Sequence, residues 1–137
     1  MIWTALAILL IILAWYWFEG RWDRRLFQST ATQSCRNLKA NEARKFLDAH
    51  PETQILDVRS AAECNGGMIP GATNISMGDE RFVEKLADFD QRRPILVYCA
   101  GGYRSRKAVE ILRSLGFSSI VNLHRGYFSW RNKGTGK

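Results

Sequence analysis

Cys99 is the residue through which this chain can do chemistry. It closes the run Pro94-Ile95-Leu96-Val97-Tyr98-Cys99 and opens Ala100-Gly101-Gly102-Tyr103-Arg104-Ser105. An apolar strand thus delivers a thiol into a two-glycine loop at the start of a helix. A helix N-terminus carries partial positive charge and unpaired N–H groups, and a loop curled round the sulfur aims further N–H groups inward, so the thiolate is favoured. Gly101 and Gly102 permit the left-handed backbone angles such a cradle needs, and Arg104 adds a fixed positive charge. A thiol at the end of an apolar strand is also a common inert core residue. The two glycines, the arginine and the helix that follow are what set Cys99 apart.

The elements that must hold the thiol are legible around it. Ala108, Ile111, Leu112 and Leu115 recur at helical spacing after the loop, and Gly116 supplies the stop. Upstream, Asn41 to Ala49 reads as a helix ended by Pro51, Gln54 to Val58 as a short strand, and Glu80 to Phe89 as a second helix with Phe82, Val83, Leu86 and Phe89 on one face. Strands alternating with helices predict an α/β domain with a mainly parallel sheet and active residues at the C-terminal strand ends. Cys99 lies at such an end, and so does Asp57-Val58-Arg59, where a salt bridge that fixes a loop is as good an account as a part in catalysis.

The segment Cys-x-x-Gly-x-Arg-Ser over Cys99 to Ser105 resembles the active-site loop of rhodanese-family sulfurtransferases. Ile55 to Arg59 is similar to the family's strand ending in Asp-Val-Arg, and Gly67 to Ile75 to its Gly-His-Ile-Pro-Gly-Ala-x-Asn-Ile segment. Gly116-Phe117 through Leu123, with Gly126 and Trp130, resemble its closing strand and final helix. Met68 stands where the family usually has His, Cys64 where an aromatic residue is common, and Arg125 in place of the first glycine of a Gly-Gly pair. The implied fold is a three-layer rhodanese-like domain with a mainly parallel central sheet flanked by helices, over residues 35–131.

The resemblance also implies a reaction. The Cys99 thiolate takes the outer sulfur of a donor such as thiosulfate, and a thiol or cyanide acceptor, small or carried on a protein, then removes it. Ala100, Gly101, Gly102, Tyr103, Arg104 and Ser105 would bind substrate in a partly open site, with Asp57, Arg59 and Arg125 as supporting residues. No cofactor is called for. Cysteine phosphatases and arsenate reductases compete as a reading, but they use Cys-x5-Arg, whereas Arg104 follows Cys99 after only four residues and Ser105 holds the phosphatase position. A tethered sulfur-relay or binding module with little free turnover is the other alternative.

Met1 to Phe18 contains no charged side chain. As a helix it reaches roughly 27 Å, close to a hydrocarbon thickness of about 30 Å. Trp3 at one end and Trp15, Tyr16, Trp17, Phe18 and Trp22 at the other resemble interfacial aromatic belts, as expected of one transmembrane helix. A cleaved signal peptide competes, without a basic n-region or a small-x-small site before Glu19. Arg21, Arg24 and Arg25 follow the apolar run and would keep the domain on the cytoplasmic side, as in a bacterial inner membrane. Residues 19–34 read as a basic juxtamembrane segment and polar tether, so that removal through about Gln28 would leave a soluble active domain. Residues 132–137 read as a frayed tail.

Composition excludes several classes. The 20 Lys and Arg outnumber the 13 Asp and Glu, for a net charge of +7, yet no long basic run or nucleic-acid motif is present. Headgroup contact and attraction of an anionic substrate account for the excess. Cys35, Cys64 and Cys99, being three, cannot all pair internally and lack metal-ligand spacing, and His50 and His124 read as surface or packing residues. Asn74-Ile75-Ser76 is a chance glycosylation sequon within a fold motif.

Overall fold

Ile95–Tyr98 is the central strand of a five-stranded parallel sheet, and all four of its residues are buried. The computed structural model describes residues 1–132. Its elements run α1 (Ile2–Leu26), β1 (Ser34–Leu38), α2 (Ala40–Ala49), β2 (Gln54–Asp57), α3 (Ala61–Cys64), β3 (Ala72–Asn74), α4 (Phe82–Lys85), β4 (Ile95–Tyr98), α5 (Tyr103–Ser114), β5 (Ser119–Leu123) and α6 (Gly126–Arg131). Spatial order is β1-β5-β4-β2-β3, with every pair parallel. A parallel sheet covered on both faces needs strands apolar on both sides, and β4 is one.

The two-residue period of β4 assigns each side chain to a face. Ile95, Val97 and then Cys99 point into the core that α5 closes with Ala108, Val109 and Leu112. Leu96 and Tyr98 point into the opposite core, with Ala40, Ala43 and Phe46 of α2 and Val121 and Leu123 of β5. Cys99 therefore sits under α5 by strand geometry alone.

Several sequence expectations are revised. The helix expected over Glu80 to Phe89 is shorter: α4 begins at Phe82, and Leu86–Asp88 is a 3-10 turn. Glu80 and Arg81 belong to a turn in which Phe82 N–H donates to Asp79 O, and the tighter second turn brings Phe89 against the core while leaving Val83 exposed. Residues 28–33 of the expected tether form neither helix nor strand, while the juxtamembrane segment before them is helical. The α1 helix continues through Leu26, which is 4% exposed in the core, and its last turns lie on α5. Trp22 Nε1 donates to Glu110 at 2.9 Å, and Arg113 Nη1 donates to Leu26 O at 2.6 Å, a cation at a helix C-terminus. Gln33 Nε2 then donates to the Arg113 and Phe117 carbonyls, so polar side chains fasten what polarity alone read as slack. Of the expected tail, 133–137 lies outside the described residues.

The first seventeen residues of α1 keep apolar side chains exposed, among them Ile8, Leu10, Ile11 and Trp15. Its length and composition make it a candidate membrane anchor.

Candidate active site

The loop after β4 wraps the Cys99 sulfur. Gly102 caps α5 with φ 105°, and its N–H donates to Cys99 Sγ at 3.0 Å. Among the described residues it is the one backbone N–H in hydrogen-bond contact with Sγ, fewer than the ring expected from Ala100 to Ser105. The positive φ of Gly102, which glycine adopts without strain, sets how the chain leaves that peptide and enters α5. Ser105, fully buried, donates from Oγ to Gly102 O at 3.2 Å and lies 3.6 Å from Sγ.

The loop is held from outside by α6. Tyr127 N–H donates to Cys99 O at 2.7 Å and Phe128 N–H to Ala100 O at 3.1 Å, so the first N–H groups of α6 take up the loop carbonyls. Gly126 makes this approach possible. A Cβ there would stand 2.3 Å from Cys99 O and 2.6 Å from Ala100 O. This cover, with α5 above and β4 at the centre of the sheet, leaves Cys99 only 1% exposed, where a partly open thiol was expected.

Arg104 lies at the rim, half-exposed, and is gripped by Glu63 through two 2.7 Å hydrogen bonds. Glu63 is set by a capping box on α3: Ser60 N–H donates to Glu63 Oε2 at 2.9 Å while Glu63 N–H donates to Ser60 Oγ. Arg104 first, then the Ser60 N–H, holds the Glu63 carboxyl down at about 2. Glu63 in turn keeps Arg104 charged, with a smaller contribution from Cys99.

Asp57 and Arg59 do not touch the sulfur. They form a buried ion pair, Arg59 Nη2 to Asp57 Oδ2 at 2.6 Å, with side-chain exposures of 4% and 0%. Arg59 also donates to Glu63 O and Gly67 O and lies over the ring of Tyr127 at 4.2 Å. The pair fixes the 63–67 loop and hence the helix that carries Glu63, so its link to the site runs through Glu63 and Arg104. Its hydrogen bonds to Asp57 raise the Arg59 pKa.

Beside the loop lies a cavity of about 410 Å³ bounded by Gly101, Arg106, His124, Arg125, Phe128 and Glu19 of α1. Arg125 brings an exposed cation there, in a left-handed conformation (φ 59°) at the start of α6. His124, read from sequence as a surface or packing residue, is on this wall; burial foremost, then Arg125, lowers its pKa. Tyr103 turns away from the sulfur and meets Trp22 edge-on at 5.8 Å. Glu19, Glu63, Arg106 and His124 were all missed as site residues. Only Glu63 had a local signal, the Ser60-x-x-Glu63 capping pattern.

Residues 39–133 match the family described as Rhodanese-like domain. The thiosulfate sulfurtransferase GlpE of Shewanella oneidensis is 30% identical over 97 residues, which cover 71% of this chain and 93% of that protein. The uncharacterized protein YqhL of Bacillus subtilis is 31% identical over 98 residues, 72% of this chain and 76% of its own. A crystal structure of a rhodanese-like domain protein from Staphylococcus aureus superposes with a TM-score of 0.64 at 32% identity, covering 72% of this chain and 94% of that one. The parallel sheet, the Cys99 loop and these likenesses agree, and the chain belongs to the rhodanese-like family.

Proposed function

We propose that this protein is a membrane-anchored sulfurtransferase that carries sulfane sulfur as a Cys99 persulfide. The Cys99 thiolate attacks the outer sulfur of a donor of the thiosulfate class. The donor S–S bond breaks, sulfite departs with the bonding electron pair, and a persulfide anion remains on Cys99. A thiolate, on a small molecule or a protein, or cyanide then takes the outer sulfur and returns Cys99 to the thiolate.

The observation that carries this reading is the Gly102 N–H aimed at Sγ from 3.0 Å at the N-terminus of α5. With Cys99 1% exposed, an acceptor meets little of the resting thiol. An outer sulfur, about 2.05 Å further along an S–S bond, moves the reactive atom away from the buried Sγ. The free N–H groups of the first α5 turn, with Arg104 in that turn and the exposed Arg125 at the start of α6, favour an anion there. Sulfite is a stable leaving anion, so no general acid is required.

Residues 1–18 act in this reading as an uncleaved transmembrane anchor, with Arg21, Arg24 and Arg25 keeping the domain in the reducing cytoplasm. Intact-mass measurement of the full chain after exposure to thiosulfate, and separately to mercaptopyruvate, tests the chemistry. The expected result is a gain of one sulfur atom located on Cys99; no gain with either donor would refute the reading. Resistance to alkaline carbonate extraction, with Cys99 shielded from an impermeant thiol reagent added outside, tests the placement.

A further inference from the structure

The last turns of α1 and the first turn of α5 enclose a cavity of about 710 Å³ that lies apart from the one beside the Cys99 loop. Trp15, Phe18 and Trp22 line it from one stripe of α1 and Trp17 from the next, while Tyr103 closes it from the catalytic loop side. Three cations complete the lining: Arg21, Arg25 and Lys107. Arg21 lies over the Trp17 ring at 5.1 Å and Lys107 over the Tyr103 ring at 5.5 Å. Among the described residues none of the three forms a salt bridge. Glu110 accepts from Trp22 Nε1 and is not part of the lining.

An apolar, aromatic cleft ringed by unpaired cations fits a ligand with an anionic head and apolar tails. Its depth fits as well. The uncharged run ends at Phe18, and at about 1.5 Å per residue Arg21 lies roughly 4.5 Å and Arg25 roughly 10.5 Å beyond it along the axis. The headgroup layer on one side of a bilayer is about 5–8 Å thick, so both arginines fall at or close to it when α1 spans the membrane.

We propose that this cavity binds one anionic phospholipid headgroup, its phosphate held by Arg21, Arg25 and Lys107 and its acyl chains lying along the uncharged part of α1. The proposal rests on reading residues 1–18 as a membrane segment. Lys107 separates a built site from general surface attraction, because it comes from the catalytic domain rather than from the basic stretch after the anchor. Arg24, exposed and outside the lining, carries the same charge on the same helix as Arg21 and Arg25.

The test is native mass spectrometry of the delipidated full chain in an uncharged detergent, titrated with phosphatidylglycerol or phosphatidylcholine. One phosphatidylglycerol per chain is expected at a concentration at least about tenfold below that needed for phosphatidylcholine. Lys107→Ala should weaken retention about fivefold, the usual worth of one basic residue at an anionic surface, and Arg24→Ala should leave it unchanged. Equal retention of the two lipids, or equal effects of the two variants, would overturn the site. Millimolar inorganic phosphate should not displace the lipid; displacement would show a free-oxyanion site and overturn the proposal too. Carbonate release of the chain from membranes would refute the anchor, whereas the detergent titration decides the cavity.

Discussion

Asp23, near the end of α1, is joined to Arg106 of α5 by two hydrogen bonds of 2.7 and 3.1 Å, and Arg106 Nη1 donates to the carbonyl of Gly102 at 3.2 Å. Gly102 is the residue whose N–H reaches Cys99 Sγ. The α1 helix is thus connected to the loop around the sulfur through one arginine. Asp23→Asn removes the charge that fixes Arg106 and should slow sulfur loading of Cys99 by about tenfold, or about 1.4 kcal/mol. Reversing the pair, with Asp23→Arg and Arg106→Asp together, should restore the melting temperature but not the rate, because a carboxylate cannot donate to Gly102 O. Full recovery of the rate would show that the pair only docks the helix.

Trimming the chain follows the same logic. A fragment starting after Gln28 loses Leu26 from the core, a burial worth about 1.5–3 kcal/mol, and leaves Arg106 without Asp23. A fragment starting at Glu19 keeps both. The shorter one should melt lower and load sulfur more slowly per folded molecule, contrary to the expectation that everything through Gln28 is dispensable. Parallel thermal melts and donor assays on the two fragments decide it.

The strand, loop and α5 around Cys99 were legible because each rule there is local: a two-residue period into the thiol, glycine at a left-handed cap, and a 3.6-residue period after it. The partners of that unit were not, since Glu63 reaches Arg104 across 41 positions and Asp23 reaches Arg106 across 83. Polarity misread 28–34 for a related reason. Gln33 satisfies the Arg113 and Phe117 carbonyls at the end of α5, and nothing in the spacing of polar residues reports where their partners lie. Asp57 and Arg59 were correctly placed at a strand end, where the ion pair rather than contact with the sulfur describes them.

The three thiols should separate cleanly. Cys99→Ser is expected to abolish sulfur loading, while Cys35→Ser and Cys64→Ser retain it. Burial pushes the Cys35 thiol up to about 11, and burial, then Asp57, raises that of Cys64. Neither has a cradle N–H, whereas Cys99 has Gly102. Mass analysis of each variant after thiosulfate checks this, and persistent loading in Cys99→Ser would remove the nucleophile assigned here.

Arg104 and Glu63 should be told apart by charge and pH. Arg104→Ala is expected to lower kcat/KM for anionic donors by about tenfold to a hundredfold, roughly 1.4–2.8 kcal/mol. Arg104→Lys should recover only part, because a point charge cannot hold both Glu63 oxygens and still face the donor. Glu63 is acidified in the fold from 4.5 to about 2, so its contribution to stability is present above about 4.5 and is lost as pH falls toward 2. The pair is more than a third exposed, which keeps that contribution small. The melting temperature of Glu63→Gln should therefore fall less than that of wild type between those two values. Parallel acid slopes would show that the pair contributes nothing to folding.

Gly126→Ala tests whether the first turn of α6 holds the loop. The new methyl would stand 2.3 Å from Cys99 O and 2.6 Å from Ala100 O, both backbone atoms, at a φ of 59° that an L side chain rarely adopts. No rotamer relieves a Cβ clash, so either α6 withdraws and the bonds from Tyr127 N–H and Phe128 N–H are lost, or the Cys99 loop shifts. Both outcomes disturb the peptide that carries the sulfur. The substitution should cost about 1–3 kcal/mol from backbone strain alone and lower sulfur loading per folded molecule, with faster amide exchange at Tyr127 and Phe128. An alanine variant with wild-type melting and wild-type loading would mean that α6 does not hold the loop.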